Sequence, residues 1–231
     1  MMTWSYFIHV HGDVARRHSV AKSAIQELNL FAREWSADAV VVLHEPFAVQ
    51  GSDPLPVAQD ARLLLGQLLF HELAALSSAS GRIERALATL ASEAGVRDVQ
   101  SQVMTTEWLL PGSPDDRKAP GEAVSFFVQY DGPADDPGAF HSYYRSHHVP
   151  IVFRMPGIRS VSYHLPTGIK PPTIGRAVER LQLVQAVFDT AEEFLAMRKS
   201  AERKEGLRDF KNYPRFDGDV THQIMRSRRL K

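Results

Sequence analysis

The stretch AFHSYYRSHHVPIVFRMPG, residues 139–157, is the part of the sequence that decides the fold. Just before it, Asp136 and Pro137 supply an N-cap and a proline at the first helical position, which predicts that a helix begins here. The residue before a proline is disfavoured in the α region, so this helix is expected to end near Pro150. Two tyrosines and three histidines fall within the segment, and they are the first candidates for chemistry.

The flanking residues predict further strands and a second helix. Residues 124–130 are rich in aromatic and β-branched side chains, which favour a strand, and Thr190 with Glu193 forms a capping box that starts a helix. The second half is predicted as strand 124–130, helix 137–150, strand 159–165, strand 181–188, helix 191–205 and strand 220–226. This βαββαβ order is typical of a split βαβ, ferredoxin-like unit.

An internal repeat extends this order to the first half. Segments that match in the same order at a nearly constant offset indicate a duplicated unit. Three pairs align at offsets of 118 to 121 residues: RLLLGQLLF from Arg62 with RLQLVQAVF from Arg180, YFIHVHGD from Tyr6 with FFVQYDGP from Phe126, and QVM from Gln102 with QIM from Gln223. The first half is predicted as strand 4–10, helix 20–35, strand 39–47, strand 63–70, helix 82–94 and strand 99–108.

The segment between the halves is predicted to be a linker. PGSPDDRKAPGE, at 111–122, has three prolines, mixed charge and no apolar periodicity. We therefore divide the chain into a degenerate ferredoxin-like repeat (1–110), a linker (111–122) and a second ferredoxin-like domain (123–231). The predicted fold class is α+β, with two tandem βαββαβ repeats that pack sheet to sheet as a pseudo-dimeric α/β barrel around a ligand-binding lumen.

The motif helix carries a family resemblance. The pattern F-x-x-Y-Y-x-x-x-H-x-P from Phe140 to Pro150, followed by MPGI at 155–158, resembles the EthD family of dimeric α/β-barrel proteins, named for ethyl tert-butyl ether degradation. The resemblance covers residues 123–226. It implies a ferredoxin-like subunit that pairs sheet to sheet, among relatives that include muconolactone isomerases and polyketide decarboxylases or dehydratases, mostly without cofactors. In several relatives the histidine that matches His148 faces the pocket as the acid/base group.

The first half departs from this family pattern. The repeat offset places the position of His148 on Leu28, Asn29 or Leu30, so no histidine stands there. We therefore predict one motif site in the chain, with the first half serving as the partner sheet.

Helical periodicity separates the side chains of the motif helix. Phe140, Tyr143 and His147 fall on one stripe, which is expected to pack in the core. Tyr144 and His148 lie four residues apart at the border of that stripe and are expected to meet and to reach the lumen. We predict both as catalytic: His148 would move a proton, while Tyr144 would orient it or donate to a developing oxyanion.

Other side chains are expected to line the lumen. His9 and His11 alternate with Phe7 on one face of the first strand, opposite an apolar face that suits the helices. A His-x-His pair on a strand also presents two metal ligands on one side, but without a clear third ligand we predict no metal. The predicted substrate-binding residues are His9, His11, Phe127, Gln129, His147, Tyr163 and His164. The charged run at 199–211 is interpreted as a solvated helix face.

Composition limits the partners. Lysine plus arginine and aspartate plus glutamate both number 27, so no net charge attracts nucleic acid or an anionic membrane. The chain has no cysteine, which excludes disulfides and thiolate chemistry. With neither a signal-peptide pattern nor a membrane span in the sequence, we expect a cytoplasmic protein with a small-molecule partner, and a homodimer is the commonest assembly if the pseudo-dimers associate.

Three functions are compatible with these features. The first is a cofactor-independent lyase, isomerase or cyclase that acts on a hydrophobic carbonyl compound, an aromatic polyketide or a lactone. The second is a haem-binding oxidoreductase, because tandem ferredoxin-like barrels also build chlorite dismutases and dye-decolorising peroxidases. The third is a binding protein without catalysis, because fold alone does not determine function.

Overall fold

The computed structural model describes residues 3–48, 62–109, 123–171 and 175–230. Its strands are β1 (Thr3–Gly12), β2 (Ala39–Pro46), β3 (Arg62–Phe70), β4 (Val96–Trp108), β5 (Ala123–Tyr130), β6 (Ser160–Pro166), β7 (Arg176–Ala177), β8 (Gln182–Phe188) and β9 (Val220–Arg229). Its helices are α1 (Arg17–Glu34), α2 (Leu73–Ser92), α3 (Pro137–Tyr143), α4 (Val149–Arg154), α5 (Ala191–Lys199) and α6 (Ala201–Asp209). The predicted linker at 111–122 lies outside the described residues, and the domain division there stays a prediction.

Eight strands form a closed antiparallel barrel. Their order is β1-β3-β2-β9-β5-β8-β6-β4, and the pairing of β4 with β1 closes the ring. Each half contributes four neighbouring strands, and the halves join where β2 pairs with β9 and β4 with β6. The predicted fold class, two ferredoxin-like repeats packed as a pseudo-dimeric α/β barrel, is confirmed.

The outer face of each half is covered by that half's helices. Side chains alternate between the two faces of a strand, so each strand contributes every second residue to the outer core. In the first half this core includes Tyr6, Leu28 and Phe31, and in the second half it includes Phe126 and Phe140. None of the helices in the described ranges is long and apolar enough to span a membrane.

The middle of the barrel interior is filled by side chains, and the binding of a ligand in a lumen between the sheets stays a prediction. A small apolar cluster that includes Phe7 and Phe127 packs inside. Beside it runs a closed circuit of hydrogen bonds between 2.5 and 3.4 Å long, which passes through Ser5, Thr106, His164, Ser162, Gln185, Ser125, Ser227, His44 and Gln67. Buried polar groups require such partners, and this circuit supplies them with protein atoms.

The motif helix does not end at Pro150. A π-helical turn from Tyr144 to His148 separates α3 from α4, and the amide of Val149 donates to the carbonyl of Tyr144. The turn lets the chain continue through the proline, which lies in the first turn of α4, where a missing N–H is tolerated. The inward stripe consequently runs through Phe140, Tyr144 and His148.

Two further helices differ most clearly from the prediction. Helix α2 begins at Leu73, nine residues before the predicted start at position 82. The predicted helix 191–205 is two helices, α5 and α6, because Ser200 leaves the helical conformation and caps α6 by accepting from the amide of Arg203. The capping box of Thr190 and Glu193 is present at the start of α5.

Candidate functional site

The candidate site is a cavity in the second half, between the helices and the outer face of the sheet. Its volume is about 50 Å³. Apolar side chains such as Val128 and Met155 form most of its wall. Its polar or aromatic lining residues are Phe126, Tyr130, Tyr144, His148, Arg203, Phe210 and His222. His148 and Tyr144 thus line a cavity, but it lies on the other side of the sheet from the barrel interior, where they were expected to point.

His148 is held by a carboxylate. Its Nδ1 lies 2.9 Å from Oδ2 of Asp209, the last residue of α6, and both side chains are largely buried. The second oxygen of Asp209 accepts from the hydroxyl of Tyr143 at 2.9 Å. Because a carboxylate only accepts hydrogen bonds, Nδ1 carries the proton of the neutral imidazole and Nε2 is the basic nitrogen. This is the arrangement of a general base with an orienting group.

Burial keeps the imidazole neutral. Burial lowers the pKa of His148 below its ordinary value, an effect that the hydrogen bond and charge of Asp209 oppose and that Arg203 increases. The neutral form is the one that accepts a proton, so His148 is in the basic state at neutral pH.

This balance gives a prediction for Asp209→Asn. The substitution removes the charge that raises the pKa of His148, so the pKa should fall further. NMR titration of the His148 ring measures the change. Asp135→Asn is the matched control, because that exposed carboxylate pairs with Arg215 instead. A pKa that is the same in Asp209→Asn and in the unaltered protein would contradict the coupling of the two side chains.

Aromatic rings surround the imidazole. The rings of Tyr144 and Tyr213 have centroids 5.0 and 5.4 Å from that of His148. Burial raises the pKa of both tyrosines above the ordinary value, and for Tyr144 the neighbouring Tyr130 and Tyr163 raise it further. Both hydroxyls therefore stay protonated at neutral pH, and the site contains phenolic donors next to the base.

Helix α6 contributes residues that the sequence interpretation missed. The run at 199–211 was interpreted as solvated, yet Arg203 is 8% exposed, with its guanidinium 5.7 Å from the ring of Phe126. Gly206 also lines the cavity, and a Cβ at that position would lie 3.4 Å from Cε1 of His148. The run was misinterpreted because its charged composition hid an inward stripe at helical spacing, namely Arg203, Gly206 and Phe210.

Most of the predicted substrate-binding residues lie elsewhere. His9, Phe127 and His164 are buried in the barrel interior, and Gln129 and His11 are at one end of the barrel. The alternation of side chains along the strands was predicted correctly, but the site is on the outer face. These residues do not line the cavity beside His148.

The remaining two predicted residues lie near the motif helix. His147 is exposed and stacks on Tyr143 with ring centroids 4.3 Å apart, so its expected core position is wrong. Tyr163 is buried under the helix and stacks on Tyr144 at 5.4 Å, with its hydroxyl donating to Gln182 at 2.7 Å. Tyr163 thus supports the site from behind without lining the cavity.

The equivalent space in the first half is packed with apolar side chains. Leu28, one of the three positions that the repeat offset aligns with His148, is 1% exposed and belongs to the first-half core. A Cβ at Gly66 would lie 3.5 Å from Ile8 and 3.6 Å from Leu28, which shows how closely this helix packs on the sheet. This packing agrees with the prediction of a single motif site. Within the part of the chain that the structure describes, no group of three or more metal-ligating side chains comes together.

The sequence matches no protein-family model and no curated protein. Solved structures do share the fold over the whole chain. A "putative monooxygenase" from Lactobacillus acidophilus is 9% identical, with coverage of 100% of this chain and 97% of that one and a TM-score of 0.59. An anthrone oxidase-like protein is 10% identical (99% and 93% covered, TM-score 0.55), and a "putative chlorite dismutase" is 9% identical (100% and 96% covered, TM-score 0.58). These likenesses show the fold alone.

An EthD family protein from Bacillus halodurans is also among the similar structures. It is 19% identical, covers 44% of this chain and 95% of its own, and has a TM-score of 0.35. That likeness is too low to establish the family, so membership of the EthD family stays a prediction.

Proposed function

We propose that this protein is a cofactor-independent enzyme that moves a proton on a hydrophobic carbonyl compound, with His148 as the acid/base group. The observation that supports this most strongly is the His148–Asp209 pair at 2.9 Å on the wall of a largely apolar cavity. A buried, perturbed titratable group oriented by a second one is typical of catalytic sites.

The residues divide the chemistry between them. His148 takes a proton from the carbon next to the carbonyl through Nε2, while Asp209 stabilises the imidazolium that forms. The protonated hydroxyl of Tyr144 and the guanidinium of Arg203 are the groups suited to stabilise the enolate oxygen. Returning the proton to another carbon isomerises the substrate, and giving it to a leaving hydroxyl completes a dehydration.

Substrate entry requires movement. Small-molecule sites usually enclose about 300–1,000 Å³, and this cavity encloses about 50 Å³. Helices α5 and α6 cover the cavity, and the chain leaves the helical conformation between them at Ser200. We propose that the two helices move apart at this break to admit the substrate.

Oxidation by O₂ is the second candidate function. Two proteins of the same fold are described as a "putative monooxygenase" and as anthrone oxidase-like. Proton removal by His148 would also be the first step of this oxidation, because the carbanion that it leaves on an aromatic carbonyl compound is the species that would react with O₂.

The haem alternative is tested by the dimensions of the site. A protein of this fold is described as a "putative chlorite dismutase", and His148 has the carboxylate partner that often orients a metal-ligating histidine. A porphyrin, however, is much larger than the carbonyl compounds considered above, so the cavity of about 50 Å³ would have to open much further to admit it, and the rings of Tyr144 and Tyr213 leave little room for it next to the imidazole. These residues do not fit a haem, and we assign it no role.

Proton exchange provides the test. The protein is incubated in D₂O with anthrones, aromatic β-keto compounds and lactones, and deuterium uptake next to the carbonyl is followed by NMR while an electrode records O₂. Deuterium uptake or an isomerised or dehydrated product without O₂ uptake supports the first function, and stoichiometric O₂ uptake supports the second. Tight binding without exchange or turnover contradicts both and favours a binding protein.

A further inference from the structure

A second cavity lies at one end of the barrel. It measures about 540 Å³ and shares no residue with the cavity beside His148. Strand ends from both halves surround it, among them those of β1, β3 and β5. Its lining residues are His11, Arg62, Gln100, Gln129, Asp131, Arg176, Ala177, Val178, Glu179 and Arg180. The volume is within the range of about 300–1,000 Å³ that small-molecule sites occupy.

Two arginines related by the internal repeat form the deep part of this cavity. Arg62 and Arg180 both begin the R-L-x-L-x-Q-x-x-F pattern, and they are only 3% and 5% exposed. Arg62 donates to the amide oxygens of Gln129 and Gln223, and Arg180 donates to that of Gln100 at 2.9 Å. Amide oxygens orient a guanidinium group without adding a negative charge.

One carboxylate, that of Asp131, lies close to both arginines: it is next to Arg180 directly and is linked to Arg62 through Gln129. Asp131 accepts from Nε2 of Gln129 at 2.8 Å and lies 3.5 Å from Nε of Arg180, and Gln129 in turn accepts from Arg62. The side chain of Asp131 is 40% exposed, so water can hydrogen-bond to its carboxylate. The side chain of Arg180 is only 6% exposed and is much less accessible to water. Glu179 is the other acidic residue among the described residues that line the cavity, and it is exposed.

The two arginines also act on the neighbouring histidine, His9. His9, which accepts from Arg180 at 3.3 Å through Nε2, has its pKa held well below the ordinary value by burial and then by Arg180 and Arg62. The neutral imidazole adds no charge of its own. Among the lining residues that the structure describes, the charges at depth are therefore those of Arg62 and Arg180, and the carboxylates of Asp131 and Glu179 lie nearer to the rim.

We propose that this end of the barrel binds a small organic dicarboxylate, with its carboxylates on Arg62 and Arg180. Guanidinium groups match carboxylates through paired N–H donors, and two of them related by the repeat suit a ligand with two anionic groups. The ligand would compete with Asp131 for Arg180. This inference is independent of the function proposed for the cavity beside His148.

Isothermal titration calorimetry with succinate tests the proposal. Succinate should bind the unaltered protein and should bind Arg180→Gln and Arg62→Gln about 10- to 100-fold more weakly, the loss expected when a hydrogen bond to a charged group is removed. Asp131→Asn should bind roughly 10-fold more tightly, because it removes an adjacent like charge. Arg215→Gln, which alters an exposed arginine outside the cavity, is the matched control.

Opposite effects of the arginine and aspartate variants separate specific binding from a loss of folding. Thermal unfolding is recorded for each protein, and if Arg62→Gln does not fold, Arg180→Gln and Asp131→Asn decide the outcome. Affinity that is equal in all variants, no heat with succinate, or binding of inorganic phosphate but not of succinate would each overturn the proposal.

Discussion

Replacing His148 by glutamine should lower turnover by about 10²- to 10⁴-fold, the usual contribution of one general acid/base. Glutamine is similar in size, and its amide N–H can still donate to Asp209, so the fold should persist. It cannot accept and return a proton at neutral pH, so the loss should appear in kcat. The measurement is the rate of deuterium exchange or product formation with the substrate identified by screening.

His147→Gln is the matched control for this substitution. His147 is the adjacent residue, but it is exposed and points away from the cavity. Its replacement should leave the rate within about twofold, because surface substitutions away from a site are usually neutral. Equal rates for both variants would remove His148 from the mechanism.

The pH profile gives an independent readout on His148. A base must be unprotonated to act, so activity is lost as the pH falls through its pKa. Because burial lowers that pKa below the ordinary value of 6.5, the acid limb should lie below pH 6.5, with full activity at pH 7. In Asp209→Asn the limb should move to lower pH, since the charge that raises the pKa is removed.

Replacing Phe140 by alanine should destabilise the protein by about 3–5 kcal/mol, the usual cost of removing a buried phenylalanine side chain. Phe140 is fully buried and is in ring contact with Tyr130, Tyr213 and Phe216 at centroid distances of 5.3 to 5.5 Å. Its loss would leave a void beneath the motif helix and would remove these aromatic contacts. Urea unfolding at equilibrium measures the change.

Phe153→Ala provides the same chemical change at an exposed position. Phe153 is 42% exposed on α4, so its truncation should alter the free energy of unfolding by less than about 0.5 kcal/mol. A loss of under 1 kcal/mol in Phe140→Ala would contradict the tight packing of the motif helix on the sheet.

The barrel could be predicted because three of the five repeated positions mark the shared interior, while the other two belong to the outer cores of the two halves. The arginine, second leucine and glutamine of the repeated pattern are Arg62, Leu65 and Gln67 in the first half, and their counterparts are Arg180, Leu183 and Gln185. All six lie in the barrel interior or at its end, where the halves face each other. A duplicated unit that packs on its own copy keeps the residues of that contact, and such residues remain visible as a repeat.

The site was harder to predict, because its parts come from distant segments. His148 and Tyr144 were identified from the motif, but Asp209 and Arg203 lie more than 50 residues further along, within a run of mixed charge. Periodicity reports which face of a helix is buried, not which helix it will meet. The π-helical turn was also invisible, because the proline rule predicts a helix end without regard to tertiary packing.

The closed circuit of hydrogen bonds has a consequence for the order of folding. It includes side chains of all eight barrel strands, and Ser227 of β9 is bonded to His44, 183 residues away. Contacts between residues so distant in the chain close large loops and make folding slow. During synthesis β2 and β5 are both made before β9, the strand that pairs with each of them. Until β9 has been synthesised, one edge of each strand is unpaired and can pair with another chain. The nascent chain is therefore exposed to aggregation for most of its translation, and chaperone capture should be strongest before residues 220–229 emerge.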